Sequence, residues 1–438
     1  MRQMKISMMM ILLSILSLRG MAQENQVAIS LDQAIDSAML HNESLRQSRL
    51  DARIAKEQSL GADAVFMPQV GLSYTAYFTN NPLNVFGFKL QEQTVTSGDF
   101  DPIKLNNPGF NKDFSAQLEV TQPIFNLDAI YQRNSARAYH RMQEWSSERK
   151  KEYLLFQVKK AYLEVKLAYQ NKDVIAKALQ TADAFLKRAE DMYEQGLIQK
   201  ADLLDARVFQ SRMKTNFQTA MSNITNASDQ LGFLMGKQPG TVYLVDTERF
   251  TMQSVRALNL NSRADILAYE AGLAAAKNKL KADKMSLIPR INAFGNYQYN
   301  DAKLFRFNAD SYFAGIRLSW KIFSGTQDWH KIKASRLERD KMVSRLNETK
   351  SKAEVEYQKT MRQLTDLNYE MKQAESMVQQ ADEALNIQTD RYTQGLSSTT
   401  DLLRTQTQLA QTRLMREMVY FKKDLTISYL VFITSSNE

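Results

Sequence analysis

Cysteine is absent from the chain, and proline and glycine are scarce, at 7 and 15 of 438 residues. The first absence excludes disulfides, thiolate catalysis, thiolate metal sites and a lipid-bearing cysteine behind an export leader. So few turn formers leave room for few turns, and a mostly helical chain with long elements is expected. No mature segment reaches the roughly 18 uninterrupted apolar residues that a membrane-spanning helix needs. Histidine is nearly missing as well: His41, His140 and His330 are the only three, and their spacing gives no basis for a metal site. The 21 methionines are scattered rather than gathered into a track. No triad, phosphate loop or metal-hydrolase motif is present, so no catalytic residue, metal or cofactor is assigned and an enzyme is not expected.

What is present begins with an export leader. Arg2 and Lys5 form a positive start, Met8 to Leu18 an apolar core, and Gly20-Met21-Ala22 a small-residue cleavage site. Residues 1–22 are therefore expected to be removed, and the mature chain to lie outside the cytoplasm. The formal net charge is +9, with Arg2, Lys5 and Arg19 inside that leader. The other lysines and arginines, including Arg149-Lys150-Lys151, are interspersed with acidic residues along helical stretches. That pattern describes solvated faces, and no nucleic-acid partner is expected.

The few prolines and glycines draw the architecture. Proline does not occur between Pro123 and Pro239 or after Pro289, and glycine is absent from 126–195 and 326–394. Each glycine-free span ends at a glycine, Gly196 or Gly395. Helices are predicted over 126–195 and 325–394, each roughly 105 Å long at the helical rise. Within them Ile175, Ala178, Ala182, Phe185, Ala189 and Met192, and then Leu364, Leu367, Met371, Ala374, Val378, Ala381 and Leu385, step by three and four. That spacing is a coiled-coil seam, and its alanines let helices approach closely.

The chain is one module written twice. Tyr193-Glu194-Gln195-Gly196-Leu197 matches Tyr392-Thr393-Gln394-Gly395-Leu396, and Ala201-Asp202-Leu203-Leu204 matches Thr400-Asp401-Leu402-Leu403. Met67-Pro68-Gln69-Val70 likewise matches Ile288-Pro289-Arg290-Ile291, the first half carrying extra residues in an expected loop over 80–113. Residues 23–240 are predicted as the first repeat, 241–261 as a linker and 262–438 as the second repeat.

Four short segments alternate in polarity: 70–79, 114–123, 291–300 and 311–321. Strands of about ten residues with one apolar and one polar face suit a bilayer-spanning barrel. An antiparallel sheet on a soluble core alternates in the same way. The leader, the aromatic strand ends (Tyr77, Phe78, Tyr297, Tyr299, Tyr312, Trp320) and the lack of a globular partner favour the barrel. Four strands cannot close a barrel, and open edges in lipid would leave backbone groups unpaired. Two copies would supply eight strands and a filled interior, three would supply twelve with room for a lumen, and the arithmetic favours three.

The ordered set of pieces resembles the TolC-type outer-membrane efflux protein family over nearly the whole mature chain. The matching pieces are Ser30-Leu31-Asp32-Gln33-Ala34, the junctions at Pro68 and Pro289, the strand exits Gln122-Pro123-Ile124-Phe125-Asn126 and Trp320-Lys321-Ile322-Phe323-Ser324-Gly325, Asn261-Ser262-Arg263-Ala264-Asp265-Ile266, and the turns 193–204 and 392–403. The resemblance implies a mainly α fold with a small β part. It implies a homotrimer whose twelve-stranded outer-membrane β-barrel, four strands per chain, is continuous with a twelve-helix periplasmic α-barrel. Shorter helices, 30–66 with 201–236 and 262–287 with 401–433, would stack in pairs to complete the wall. The segment 237–261, strand-like at 241–246, would lie on an equatorial belt. The implied function is a passive exit duct in the outer membrane. Its partners would be outer-membrane lipid, a periplasmic adaptor (membrane fusion protein) and an inner-membrane transporter of the RND or ABC type. An envelope structural or adhesive coiled-coil protein is the alternative; it explains the helices but not the repeated strands.

Individual residues carry two readings each. Gly196 and Gly395 are expected as left-handed C′ glycines; by resemblance, Gly196-Leu197 and Gly395-Leu396 would also meet the adaptor at the periplasmic tips. Asp202 and Asp401 open the following helices, where a capping and dipole role is expected. By resemblance Asp401 would also line the closed periplasmic entrance, where Arg404 stands in place of the family's second ring aspartate. Asp205 holds the repeat-related position of Arg404. Tyr392 either packs against its turn or, as in the family, bonds the aspartate at the position of Asp202 and latches neighbouring coils.

Overall fold

The computed structural model describes residues 25–246, 259 and 262–434. The expected leader, 1–22, and most of the expected linker, 241–261, lie outside the described residues. The chain divides into two compact units: one holds residues up to 50, 146–266 and 349 onward, and the other holds 51–145 and 267–348. The two longest helices, α5 (Leu127–Glu194) and α8 (Gln327–Thr393), are among those with residues in both. No helix among the described residues is long and apolar enough to cross a membrane, a statement that concerns helices alone.

The first unit is helical apart from a small parallel sheet. β1 (Asn25–Ala28) pairs with β4 (Thr241–Leu244), in register from Asn25↔Thr241 to Ala28↔Leu244. α1 (Leu31–His41) starts on a capping box in which Ser30 and Gln33 exchange backbone bonds. α2 (Glu43–Gly61) follows after a break at Asn42, so the single helix expected over 30–66 is two helices and a 3-10 turn, Ala62–Phe66. Tyr162 of α5 is buried against both strands' exits, donating to the Ile29 carbonyl at 3.3 Å and accepting from the Asp246 amide at 3.1 Å. α5 then turns into α6 (Lys200–Leu234), and α8 into α9 (Thr399–Thr434). The alanines of the first predicted seam are buried: Ala178 and Ala182 pack with Phe209 and Met213, and Ala189 with Leu203 and Ala206. Long helices with small seam residues bury narrow stripes, which is why most other side chains stay exposed.

The second unit is built on a four-stranded antiparallel sheet in the order β2-β3-β5-β6. Its strands are β2 (Gln69–Thr79), β3 (Asn111–Phe125), β5 (Arg290–Asp301) and β6 (Ala309–Ser319). β2 begins where Pro68 forces Met67 into an extended conformation, φ −104 and ψ 146. β3 runs five residues longer than the predicted 114–123: three at its start pair with the end of β2, and two at its end follow from the register shift between Pro123 and Phe125, which lets the strand pass a residue that cannot donate. α7 (Ala264–Met285) precedes β5. The expected loop 80–113 is structured. It holds α3 (Pro82–Gln91), a 3-10 turn (Ser97–Phe100) and α4 (Pro102–Asn106). Asn81 and Asp101 cap these helices immediately before a proline at the first helical position.

Candidate functional site

Two places carry chemistry that the fold itself does not use up: the turns at the ends of the long helices and the faces of the sheet.

At the first turn Gly196 has φ +72, and at the second Gly395 has φ +73. The Leu197 amide donates to the Met192 carbonyl at 2.9 Å, and the Gly196 amide to Tyr193 at 3.0 Å. Leu396 to Arg391 at 2.9 Å and Gly395 to Tyr392 at 3.1 Å repeat the pattern. These paired bonds are Schellman closures, which satisfy the last carbonyls and require a left-handed residue at the glycine. The residue after each glycine is thrown outward: Leu197 is 65% and Leu396 64% exposed. Neither leucine contributes to a buried core within the chain.

The aspartates cap the next helices. Asp202 accepts from the Gln199 amide at 3.2 Å. Asp401 exchanges bonds with Ser398, accepting from its hydroxyl at 2.8 Å while its own amide donates to Ser398 Oγ at 3.1 Å. The two turns lie beside each other. The Thr400 hydroxyl donates to Asp205 at 3.4 Å, and the hydroxyl of buried Tyr392 meets Thr399 Oγ1 at 3.3 Å and Met192 Sδ at 3.8 Å. Tyr392 is thus engaged with Thr399 and Met192 rather than with Asp202 of its own chain. Arg404 reaches Asp401 at 3.9 Å, both side chains mostly in solvent. That separation leaves a loose, screened pair worth well under about 1 kcal/mol. Thr399, Thr400 and Met192 are the partners that sequence reasoning missed; Met192 and Thr400 make contacts between two turns brought together in space, and Thr399 meets Tyr392 within its own turn.

In the sheet, register decides what each face is made of. Val70↔Val120, Leu72↔Leu118, Leu118↔Tyr297, Tyr297↔Tyr312 and Ile291↔Leu318 fall on one face. Ser73↔Gln117, Thr75↔Ser115, Gln117↔Gln298 and Asn292↔Arg317 fall on the other. The alternation of four separate segments thus adds up to one mainly apolar surface backed by a mainly polar one, which also carries Phe294 and Phe313. The apolar surface is bare, with Leu72 80% and Tyr312 82% exposed. At its hairpin end Tyr74 stacks on Phe305 at 5.2 Å, and Phe78 stacks on Phe110 at 6.2 Å. Such an aromatic band at the limit of an apolar surface suits a headgroup boundary.

Comparison with known proteins matches residues 34–237 and 256–419 to the outer membrane efflux protein family. Outer membrane protein TolC of Salmonella enteritidis is 22% identical over 286 residues, 63% of this chain and 53% of that protein. TolC of Escherichia coli is 24% identical over 247 residues, 56% of this chain and 45% of that protein. The matched region therefore spans about half the length of these curated relatives. Among solved structures, the outer membrane protein VceC of Vibrio cholerae superposes with a TM-score of 0.81 at 19% identity, covering 93% of this chain and 97% of that one. CusC, whose structures concern folding and transmembrane channel formation, gives 0.81 at 16% identity over 93% and 92%. The CmeC outer membrane channel of Campylobacter jejuni gives 0.80 at 14% identity over 92% and 85%. Likeness at these identities establishes the fold.

Proposed function

The chain belongs to the outer membrane efflux protein family, and on that footing we propose that it is the outer-membrane exit duct of a tripartite efflux or type I secretion system. Three copies close their sheets into a twelve-stranded barrel, and their helices form the periplasmic tunnel continuous with it. The observation that carries the reading is the two-faced sheet. A bare apolar face running across all four strands, over a polar face that could line water, fits lipid outside and a lumen inside. β2 and β6 are the sheet's edges, and hydrocarbon tolerates no unpaired strand edge, so neighbouring copies must supply the partners.

The duct conducts passively, and its energy comes from an inner-membrane transporter. The exposed Leu197 and Leu396, each presented on a Schellman turn, are the points at which a periplasmic adaptor docks. Asp202, Asp205, Tyr392, Asp401 and Arg404 surround the periplasmic entrance, and the joined turns set how tightly it is shut.

The test is biochemical. Protein extracted from membranes is expected to require detergent, to have the mass of a trimer by light scattering, and to form ion-conducting pores in planar bilayers. A monomer released by salt alone, with no conductance, would sink the duct and favour an envelope coiled-coil protein. Photo-crosslinkers at positions 197 and 396 are expected to capture one periplasmic protein in cells, and crosslinkers at mid-helix positions to miss it.

A further inference from the structure

The segment between β2 and β3 crosses the sheet instead of trailing from its edge. α3 packs against β3 and β6, which flank β5 on either side. It lies on the polar face: Phe88 sits 5.5 Å from Tyr77, which pairs with Asp113 in the row that continues through Thr75↔Ser115 and Ser73↔Gln117. The segment is a small body in its own right. Val85 is buried, Asn81 caps its start, and Lys89 binds Asp99 at 2.5 Å.

Beneath the end of α3 Glu92 and Asp113 lie in a nearly dry place, with Asp301 on the neighbouring strand. Glu92 is 5% exposed, Asp113 0% and Asp301 7%. Asp113 accepts from the Asn300 amide at 2.8 Å, and Asp301 from the Lys303 backbone at 2.8 Å. Glu92 Oε1 and Asp113 Oδ1 are left buried with no hydrogen-bond partner. Of the cations nearby, Lys89 is held by Asp99, and the exposed Arg306 approaches Asp301 at 3.7 Å, so neither pairs with Glu92 or Asp113. From β6, Asp310 is occupied by the Tyr297 hydroxyl at 2.7 Å, and only its backbone carbonyl accepts from Gln93. Two buried acceptors without a donor are unfavourable when both are ionised, and a proton on one of them relieves both the charge and the missing bond.

We propose that α3 and its flanking loop form a second, pH-sensitive closure of the duct, lying over the polar face at the hairpin end of the sheet and held by a proton on Glu92 beside Asp113. This rests on reading the polar face as the lumen. Burial, together with the charges of Asp113 and Asp301, pushes the Glu92 carboxyl up to about 7. The docked segment therefore holds a proton that a free glutamate, at 4.5, gives up. Docking is at full strength below that lower value and weakens as pH rises through about 7. Above it, the like charges under α3 favour release.

Because the chain lacks cysteine, Leu83→Cys, at a position 80% exposed on α3, carries one spin label per chain without background. In the full detergent-solubilised protein the label is expected to be immobilised at acid pH and released with a midpoint near neutrality. Glu92→Gln, neutral at every pH, should stay immobilised, and Asp113→Asn should move the midpoint toward acid. A label that ignores pH in the otherwise native chain, or a Glu92→Gln protein that releases at the native midpoint, would overturn the proposal. Bilayer recordings separate the two ideas. Conductance with a pH-independent label defeats the closure alone, whereas pH-dependent release in a protein that never conducts defeats the duct and the closure with it.

Discussion

The side-chain amide of Asn42 donates to the carbonyl of Leu234 at 2.9 Å, joining residues 192 positions apart in the chain. The same side chain's oxygen accepts from the Leu45 amide at 3.0 Å. Asn42 thus caps the start of α2 while satisfying the end of α6. Asn42→Ala removes a helix cap and leaves a buried carbonyl unpaired, an expected loss of about 2 kcal/mol. Denaturant unfolding followed by circular dichroism checks it; Asn42→Asp, which keeps the cap acceptor but not the donor, should lose about half as much.

Glycines at helix ends should respond unequally to alanine. Gly236, at φ +69, has the His41 carbonyl oxygen 2.5 Å from where a Cβ would stand, and that neighbour is backbone. Gly395, at φ +73, has nothing within 4 Å. Gly395→Ala is expected to cost only the left-handed strain, about 1 kcal/mol, and to yield normal trimer. Gly236→Ala adds a backbone collision, is expected to cost more than about 3 kcal/mol, and should sharply reduce the trimer recovered from membranes. Equal yields of the two variants would contradict the packing described.

Tyr392→Phe keeps the buried ring and removes the hydroxyl that meets Thr399 and Met192. If the joined turns hold the entrance shut, the closed-state conductance of the purified protein should rise, and further with Asp202→Ala. An unchanged closed current in planar bilayers would remove Tyr392 from the entrance.

Arg404→Ala should leave stability within about 0.5 kcal/mol, since the pair with Asp401 is long and exposed. It should nevertheless shift the reversal potential in a salt gradient toward cation preference, because a positive group next to the Asp401 carboxylate is lost. A reversal potential that does not move would place Arg404 away from the ion path.

The long elements were legible in the sequence because their signal is spread over many residues. The spans predicted at 126–195 and 325–394 are Leu127–Glu194 and Gln327–Thr393, and the strands were found from their alternation. What escaped had short signals or distant causes. α3 and α4 are too short to show a period, and only Asn81-Pro82 and Asp101-Pro102 announce them. β1 is four residues long and exists because Thr241–Leu244 lies beside it. At the turns the two glycines were readable, since left-handed backbone leaves a mark in residue type. The hydroxyl of Thr400 was not, because its partner Asp205 comes from another turn.

Arg263 and Asp265 are the last case, a pair read from sequence only as part of a repeat start. Arg263, 3% exposed, makes a two-pronged contact with Asp265 at 3.0 and 2.7 Å and donates to the Ile433 carbonyl at 3.3 Å. Arg149 approaches the same carboxylate at 3.8 Å while its guanidinium lies 3.8 Å over the Phe432 ring. The cluster thereby ties the start of α7 and the middle of α5 to the end of α9. Burial alone would raise the Asp265 carboxyl, but the Arg263 bond and the two positive charges outweigh it and hold it below the usual aspartate value of 3.8. Its stabilising contribution is thus complete above that ordinary value and is lost as pH falls through the lowered one. Asp265→Asn strands a buried guanidinium and should cost about 3 kcal/mol at neutral pH. Because the variant has no carboxylate to protonate, the gap between it and the native protein should narrow as pH falls below about 4. Unfolding free energies measured from pH 3 to pH 7 check both parts, and a gap that stays constant with pH would show that Asp265 acts through its shape and not its charge.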